Sequence, residues 1–369
     1  MEKILPLLFR RFDIVVPVVA GIIILIGLST IQSTIVANTG SNTILQGNLI
    51  HVQVLSVIIG LLILILISFI NYRYIQYLWA ILYLLSCATL LVVLVVGEVT
   101  RGSTRWIELG PVNFQPSSLS ALIMILSCAA YLSKLKDRIN KWRFLILYGL
   151  IFAIPGILLM LEPDLGSTIV VFLIWFGLLH FSAVKFKRLA IIYLLIIVMV
   201  PLSWGILADY QKSRLTSFLN PEANPAGAGY NLIQSIIAVG SGQLGGRGWG
   251  RGTQSHLQYL PEQHTDFVFA TYAEEQGFIG VAVLVALYGV LFARLTIVGS
   301  GLADPFAKMI VLGLVIWLSV HVFVNIGMNL GIAPITGIPL PLMSYGGTAV
   351  VTVLTAFGIY QSIYRYKEK

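Results

Sequence analysis

Charged side chains are scarce in this sequence: Asp, Glu, Lys and Arg make up 10% of its 369 residues. With 58% hydrophobic residues and a mean hydropathy of +0.92, that scarcity excludes a soluble globular chain. Acids are the scarcer sign, 15 against 23 bases, and almost all of them fall at the ends of apolar runs or between them. A proton-coupled transporter needs ionisable groups inside its helices, so their scarcity weakens that reading. The two cysteines, Cys87 and Cys128, lie in separate apolar runs; they pack rather than bridge and reveal nothing about redox compartment. No small-residue cleavage site closes the first apolar run, which is also too long for a signal peptide, so it reads as a retained helix. No spacing among the acids is diagnostic of a metal site, although a divalent cation is left open.

What is present is a series of apolar runs, each long enough to cross a bilayer core of roughly 30 Å. Ten spans are expected, at about 14–33, 50–70, 75–96, 117–133, 144–161, 167–183, 189–207, 267–293, 306–329 and 346–364. The expected fold is therefore an all-α polytopic membrane protein with a large extracytoplasmic loop between spans seven and eight. Most basic residues gather in alternate connections, at Lys3, Arg10 and Arg11, Arg73, residues 134–143, residues 185–188, Arg294, Lys308 and the C-terminal tail. By the positive-inside rule both termini are cytoplasmic. The net charge of +8 is then topological, and nucleic acid is not a partner.

Two outer connections carry the remaining bases. The first, 97–116, holds Glu98, Arg101, Arg105, Glu108 and Trp106, a residue often used as an interfacial anchor. The second, about 208–265, contains Lys212 and Arg214, then turns through Asn220-Pro221 and Asn224-Pro225. From Tyr230 to Val239, Leu232, Ile233, Ile236 and Ile237 share a helical face, as in a helix lying along a membrane surface. Gly240, Gly242 and Gly245 then spell GxGxxG, but a dinucleotide site needs a strand before it and a helix after it. A loop approaching an anionic ligand, or a plain hinge, fits better.

The segment 252–270, GTQSHLQYLPEQHTDFVFA, is a polar island. It brings Asp266, Glu262, His256 and His264 together just where the eighth span begins. Asp266 has two readings, a helix N-cap and a functional carboxylate. Farther on, Asn325 and Asn329 share a face of the ninth span, for which hydrogen bonding between helices is the default. Pro334, Pro339 and Pro341 break the helix near the outer surface, which suits a cavity lining. Guanidinium forks suit diphosphate oxygens, and a carboxylate beside them suits taking a proton from a hydroxyl nucleophile. Together these groups point to transfer from a lipid-linked diphosphate.

The pieces RWIELG (105–110), FQPS (114–117), EPDLGST (162–168), GAGYNLIQSIIAVGSGQLGGRGW (227–249), GTQSHLQYLPEQHTDFVFA (252–270), VFVNIGM (322–328) and GIPLPLMSYGG (337–347) run in order along almost the whole chain. In them the sequence resembles the SEDS family (shape, elongation, division and sporulation), and its elongation branch more than its division branch. The resemblance implies one SEDS-type membrane domain over residues 1–369, with the loop 208–266 carrying the active site. It implies a peptidoglycan glycosyltransferase of the cytoplasmic membrane that polymerises glycan strands from lipid II. It also implies a class B penicillin-binding protein as partner within an elongation complex, in contact with membrane lipid.

On that resemblance Asp266 is the general base for the acceptor hydroxyl. Arg105 and Arg214 contact diphosphate, with Arg101 and Lys212 behind them; lipid-headgroup anchoring is the rival role for all four. Gln254, Ser255, Glu262, His264 and Thr265 line the substrate site, with a structural role equally open for Glu262 and His264. Asp164 caps the sixth span. A lipid II flippase and a non-catalytic scaffold are the alternatives, and a division role is a third. One departure stands out: where the family continues after FQPS with Glu and, three residues later, Lys, this chain has Ser118 and Ala121. Joint absence is what a mainly structural ion pair permits.

Overall fold

The structure, a computed structural model, describes residues 12–37, 43–100, 103–109, 112–205, 207–223, 229–256, 259–260 and 262–367. Nine helices among these residues are long and apolar enough to cross a membrane. They are α1 (Val15–Ala37), α2 (Thr43–Phe69), α3 (Arg73–Val96), α4 (Pro116–Leu135), α5 (Trp142–Leu161), α7 (Phe186–Ser203), α11 (Val268–Ser300), α12 (Pro305–Asn329) and α13 (Gly347–Tyr366). The tenth expected span is α6 (Leu165–His180), apolar but only 16 residues long. The protein is a multi-pass helical membrane protein.

Helix α4 sits at the centre. Apolar on nearly every side, it buries Ala121, Ile125, Cys128 and Ala129 against α3, α6, α12 and α13. Its small residues and the glycines facing it permit close approach; a β-carbon on Gly313 of α12 would sit 2.5 Å from Ile125. Helices α2, α3, α5 and α7 turn long rows of Leu, Ile and Val outward, as lipid-facing helices do. Both cysteines are buried and unbridged.

Alternate crossings gather the connections 97–115, 162–164, 204–267 and 330–346 at one end of the bundle. The first of these is not a simple link. It folds as a three-stranded antiparallel sheet of β1 (Glu98–Thr100), β2 (Ser103–Leu109) and β3 (Val112–Phe114). The third contains α8 (Asp209–Leu219), α9 (Tyr230–Ser241) and the short α10 (Thr253–His256). At the opposite end Asp13, 1% exposed, accepts from Arg294 Nε at 3.0 Å and from the Tyr360 hydroxyl. Its backbone exchanges two hydrogen bonds with the Gln361 amide, which ties the start of α1 to α13.

Helix α9 buries Leu232, Ser235 and Ala238 against the protein and leaves Ile236 and Ile237 exposed. Ser235 turns inward because its hydroxyl donates to the Asn329 carbonyl at 3.0 Å and to Asn329 Oδ1 at 3.1 Å.

The glycine-rich stretch packs into the neighbouring helix α11. Helix α11 breaks at Gly277, whose φ is +64°, and the loop 242–250 fills the break. Phe278 and Ile279 donate their N–H groups to the carbonyls of Gln243 and Leu244, while Arg247 and Gly248 donate to those of Glu274 and Glu275. The exchange satisfies backbone groups that a broken helix would leave bare. It also explains two of the glycines: a β-carbon on Gly242 would sit 2.0 Å from the Ala273 carbonyl oxygen, and one on Gly246 2.1 Å from that of Glu275.

Candidate active site

The turn 262–267 delivers Asp266 to the head of α11. Glu262 adopts a φ of +53°, rare for a non-glycine residue. Its carbonyl accepts from the N–H groups of Thr265 and Phe267, and its carboxylate from the Thr265 hydroxyl at 3.1 Å. Phe267, one residue past Asp266, occupies the N-cap position of α11 without a side-chain cap, so the cap is displaced from Asp266.

A second strand of irregular backbone, 330–346, lies against this turn. Its prolines stop the helix, and side chains from the surrounding helices take up its carbonyls. His321 donates through Nδ1 to the Pro339 carbonyl at 3.1 Å, because its Nε2 accepts from Trp317 Nε1. The Tyr288 hydroxyl donates to the Pro341 carbonyl at 2.6 Å. The Ser344 hydroxyl donates to the Thr265 carbonyl at 2.7 Å, and the Tyr345 N–H to the His264 carbonyl at 2.8 Å. The His264 ring meets the Tyr345 ring edge-on at 5.6 Å, and burial pushes the Tyr345 phenol above its ordinary pKa.

Where these two segments meet, Gly337 lies with φ +73°. The place a β-carbon would take there is 3.6 Å from Asp266 Oδ2 and 4.0 Å from Arg214 Nη1. Arg214 arrives from α8, whose start is fixed by the Ala208 N–H donating to the Gln211 side chain at 3.0 Å. Lys212, half-buried, is on the same helix. Gly337 also lines a narrow cleft between α4, α12 and α13 whose walls include Gln115, Ser118, Ala121, Ser167 and His321.

The other expected residues fall in three places. Glu262, His264 and Thr265 form the turn that carries Asp266. Gln254 and Ser255 lie in α10, where Ser255 is fully buried. Arg101 lies outside the described residues; Arg105 is on β2, with its side chain outside them. Asp164 accepts from the Ser167 N–H at 3.1 Å and its hydroxyl at 2.7 Å, as a cap of α6 should.

Two groups escaped the sequence reading. Glu274, fully buried in α11, accepts the N–H groups of Thr253, Gln254 and Ser255 at 2.7, 2.9 and 3.1 Å, and the Ser255 hydroxyl at 2.8 Å. Its neighbour Glu275 accepts from the Ser33 hydroxyl and from the Gly250 N–H at 3.2 Å. Adjacent acids inside an apolar run were the available signal, since a buried carboxylate needs partners. Among the described residues, no group of three or more His, Cys, Asp or Glu is arranged to hold a metal ion.

Fold and site together define a polytopic helical membrane protein with a carboxylate and a guanidinium converging at one end of the bundle. The Cell cycle protein family profile of FtsW, RodA and SpoVE matches residues 12–369, and the chain belongs to that family. It is 40% identical over 288 residues to the peptidoglycan glycosyltransferase MrdB of Escherichia coli K12, covering 78% of each chain. It is 35% identical over 316 residues to the probable peptidoglycan glycosyltransferase FtsW of Methylomonas methanica, covering 83% of this chain and 80% of that one. Among solved structures it is similar to the rod shape determining protein RodA of Thermus thermophilus, with a TM-score of 0.71 and 27% identity. That match covers 97% of this chain and 98% of that chain. A chain from a study of structural coordination of polymerization and crosslinking by a peptidoglycan synthase complex matches with a TM-score of 0.81 and 29% identity. Its coverage is 97% of this chain and 99% of that one.

Proposed function

We propose that this protein is a peptidoglycan glycosyltransferase that polymerises glycan strands from lipid II at the outer face of the cytoplasmic membrane, in the service of cell elongation. The observation that carries this reading is the approach of Asp266 and Arg214 to one point above Gly337. Asp266 takes the proton from the 4-hydroxyl of the acceptor sugar as that oxygen bonds to the anomeric carbon of the donor. The bond from that carbon to the undecaprenyl diphosphate breaks on the opposite side, inverting the centre. Arg214, with Arg105, Arg101 and Lys212, neutralises the departing diphosphate, for which the guanidinium fork is suited. Glu262, His264 and Thr265 shape the turn beside the sugar, with Gln254 and Ser255 behind it. A single displacement needs one base and a stabilised leaving group, which this arrangement supplies.

The distribution of basic residues supports cytoplasmic termini with the site end outside. Residues 1–369 act as one membrane domain whose active site lies in the 208–266 loop. The partner is a class B penicillin-binding protein in an elongation complex; the similarity to a polymerization and crosslinking complex supports that pairing.

The test is purified full-length protein with labelled lipid II, alone and with that partner, scored for polymer on a gel. Asp266→Asn keeps the shape but cannot accept the proton, and polymer should fall at least about 100-fold. Near-normal polymer from Asp266→Asn ends the assignment; a flippase or a scaffold would survive the substitution.

A further inference from the structure

We infer that Asn325 and Asn329 are positioning residues for Asp266, an inference that rests on the function proposed above. Both are fully buried, four residues apart on one face of α12. The Asn325 Nδ2 donates to the Asp266 carbonyl at 3.1 Å and to the Ile338 carbonyl at 2.8 Å. The Asn329 Nδ2 donates to the same Asp266 carbonyl at 3.2 Å and to the Asn325 carbonyl at 2.8 Å. The acceptors are carbonyl oxygens, so only the NH2 ends of these amides can face them.

The arrangement exceeds what packing two helices requires. Asp266 precedes the N-cap of α11, so its carbonyl stands outside the helix ladder and the amides of α12 hold it instead. Holding that carbonyl orients the peptide plane between Asp266 and Phe267, and with it the bond from which the carboxylate departs. The second bond of Asn325 goes to Ile338, next to Gly337, over which Asp266 and Arg214 converge. One carboxamide therefore holds both the backbone that carries the carboxylate and the backbone that floors the site. Ser235 of α9 donates to Asn329 Oδ1 at 3.1 Å and fixes that amide in turn.

The test uses the full-length protein in lipid vesicles with lipid II, comparing Asn325→Ala with the unmodified chain. The expected result is a kcat per folded protein lower by about 10- to 100-fold, with KM for lipid II within about 2-fold. A merely structural role reduces the amount of folded protein and leaves kcat per folded protein unchanged. A kcat that is unchanged, or that falls only with the folded protein measured by size exclusion, overturns the inference. If Asn325→Ala does not accumulate, Asn329→Ala is read the same way, because it leaves the hold on Ile338 in place. Asp266→Asn run in parallel separates the two ideas. Normal polymer from it fails the functional reading and the inference with it; loss of polymer, with Asn variants that behave as the unmodified chain, overturns the positioning role alone.

Discussion

Asp266 Oδ2 and Arg214 Nη1 come within 3.6 and 4.0 Å of the same point, the place a β-carbon on Gly337 would occupy. The two residues lie more than fifty positions apart in the chain and reach that point from different elements, a turn and α8. A glycine there leaves the space between carboxylate and guanidinium open, where the function proposed above seats its substrate.

Arg214→Lys is expected to keep the charge and lose the two-pronged contact. Turnover of lipid II should fall about tenfold, with Arg105→Lys showing a loss of the same kind. Polymer yield and KM measured across the Lys and Ala variants of both residues check this. Normal behaviour in all four makes them lipid anchors and moves the diphosphate site elsewhere.

Gly277→Ala should unlock the glycine loop from α11. Its φ is +64°, and a β-carbon there would sit 2.2 Å from the Gly246 nitrogen. The backbone strain alone costs about 1–3 kcal/mol, before the collision is relieved. Gly289→Ala, in the same helix with nothing within 4 Å of the added carbon, should leave stability unchanged or slightly higher. Thermal unfolding of the two variants side by side decides whether the break itself matters.

Glu274→Gln tests the carboxylate that gathers α10. The neutral amide has one acceptor oxygen for donors that two oxygens now share, and its NH2 group would face N–H groups. A hydrogen bond to a charged group contributes about 1.5–3 kcal/mol, so weakening several of them should loosen α10. The segment 250–256 should become more readily cleaved by added protease while the spans stay protected; an unchanged digestion pattern would show that α10 is held by other contacts.

Ser118 and Ala121 both line the cleft that reaches Gly337, and Ala121 is only 4% exposed. Ser118→Glu alone should lower the unfolding temperature, since its carboxylate enters a wall that also holds Val170 and Val353. Adding Ala121→Lys should recover much of the loss, because breaking a buried pair costs about 3–5 kcal/mol while replacing both partners can be nearly neutral. Polymer formation by the double variant should stay near that of the unmodified chain. A large gain in rate at unchanged stability would assign the pair to substrate handling.

The sequence by itself determined the membrane architecture. Apolar length sets where a chain can cross a bilayer, and the span expected at about 306–329 is the helix Pro305–Asn329. The turn carrying Asp266 was legible too, as the one polar island beside an apolar run. Tertiary structure alone decided three things. Periodicity gathered Ile236 and Ile237 on one apolar face of α9, but it did not show that the Ser235 hydroxyl would tie the helix to Asn329. The glycines 242–250 read as a loose loop, because nothing local shows that a broken helix lies waiting to exchange backbone hydrogen bonds with them. The meeting of Asp266, Arg214 and Gly337, and the grip of Asn325 on both Asp266 and Ile338, depend on contacts between segments far apart in the chain. Local pattern reports which face of an element is apolar; it does not report which distant carbonyl a buried amide must satisfy, and that requirement is what shapes the site.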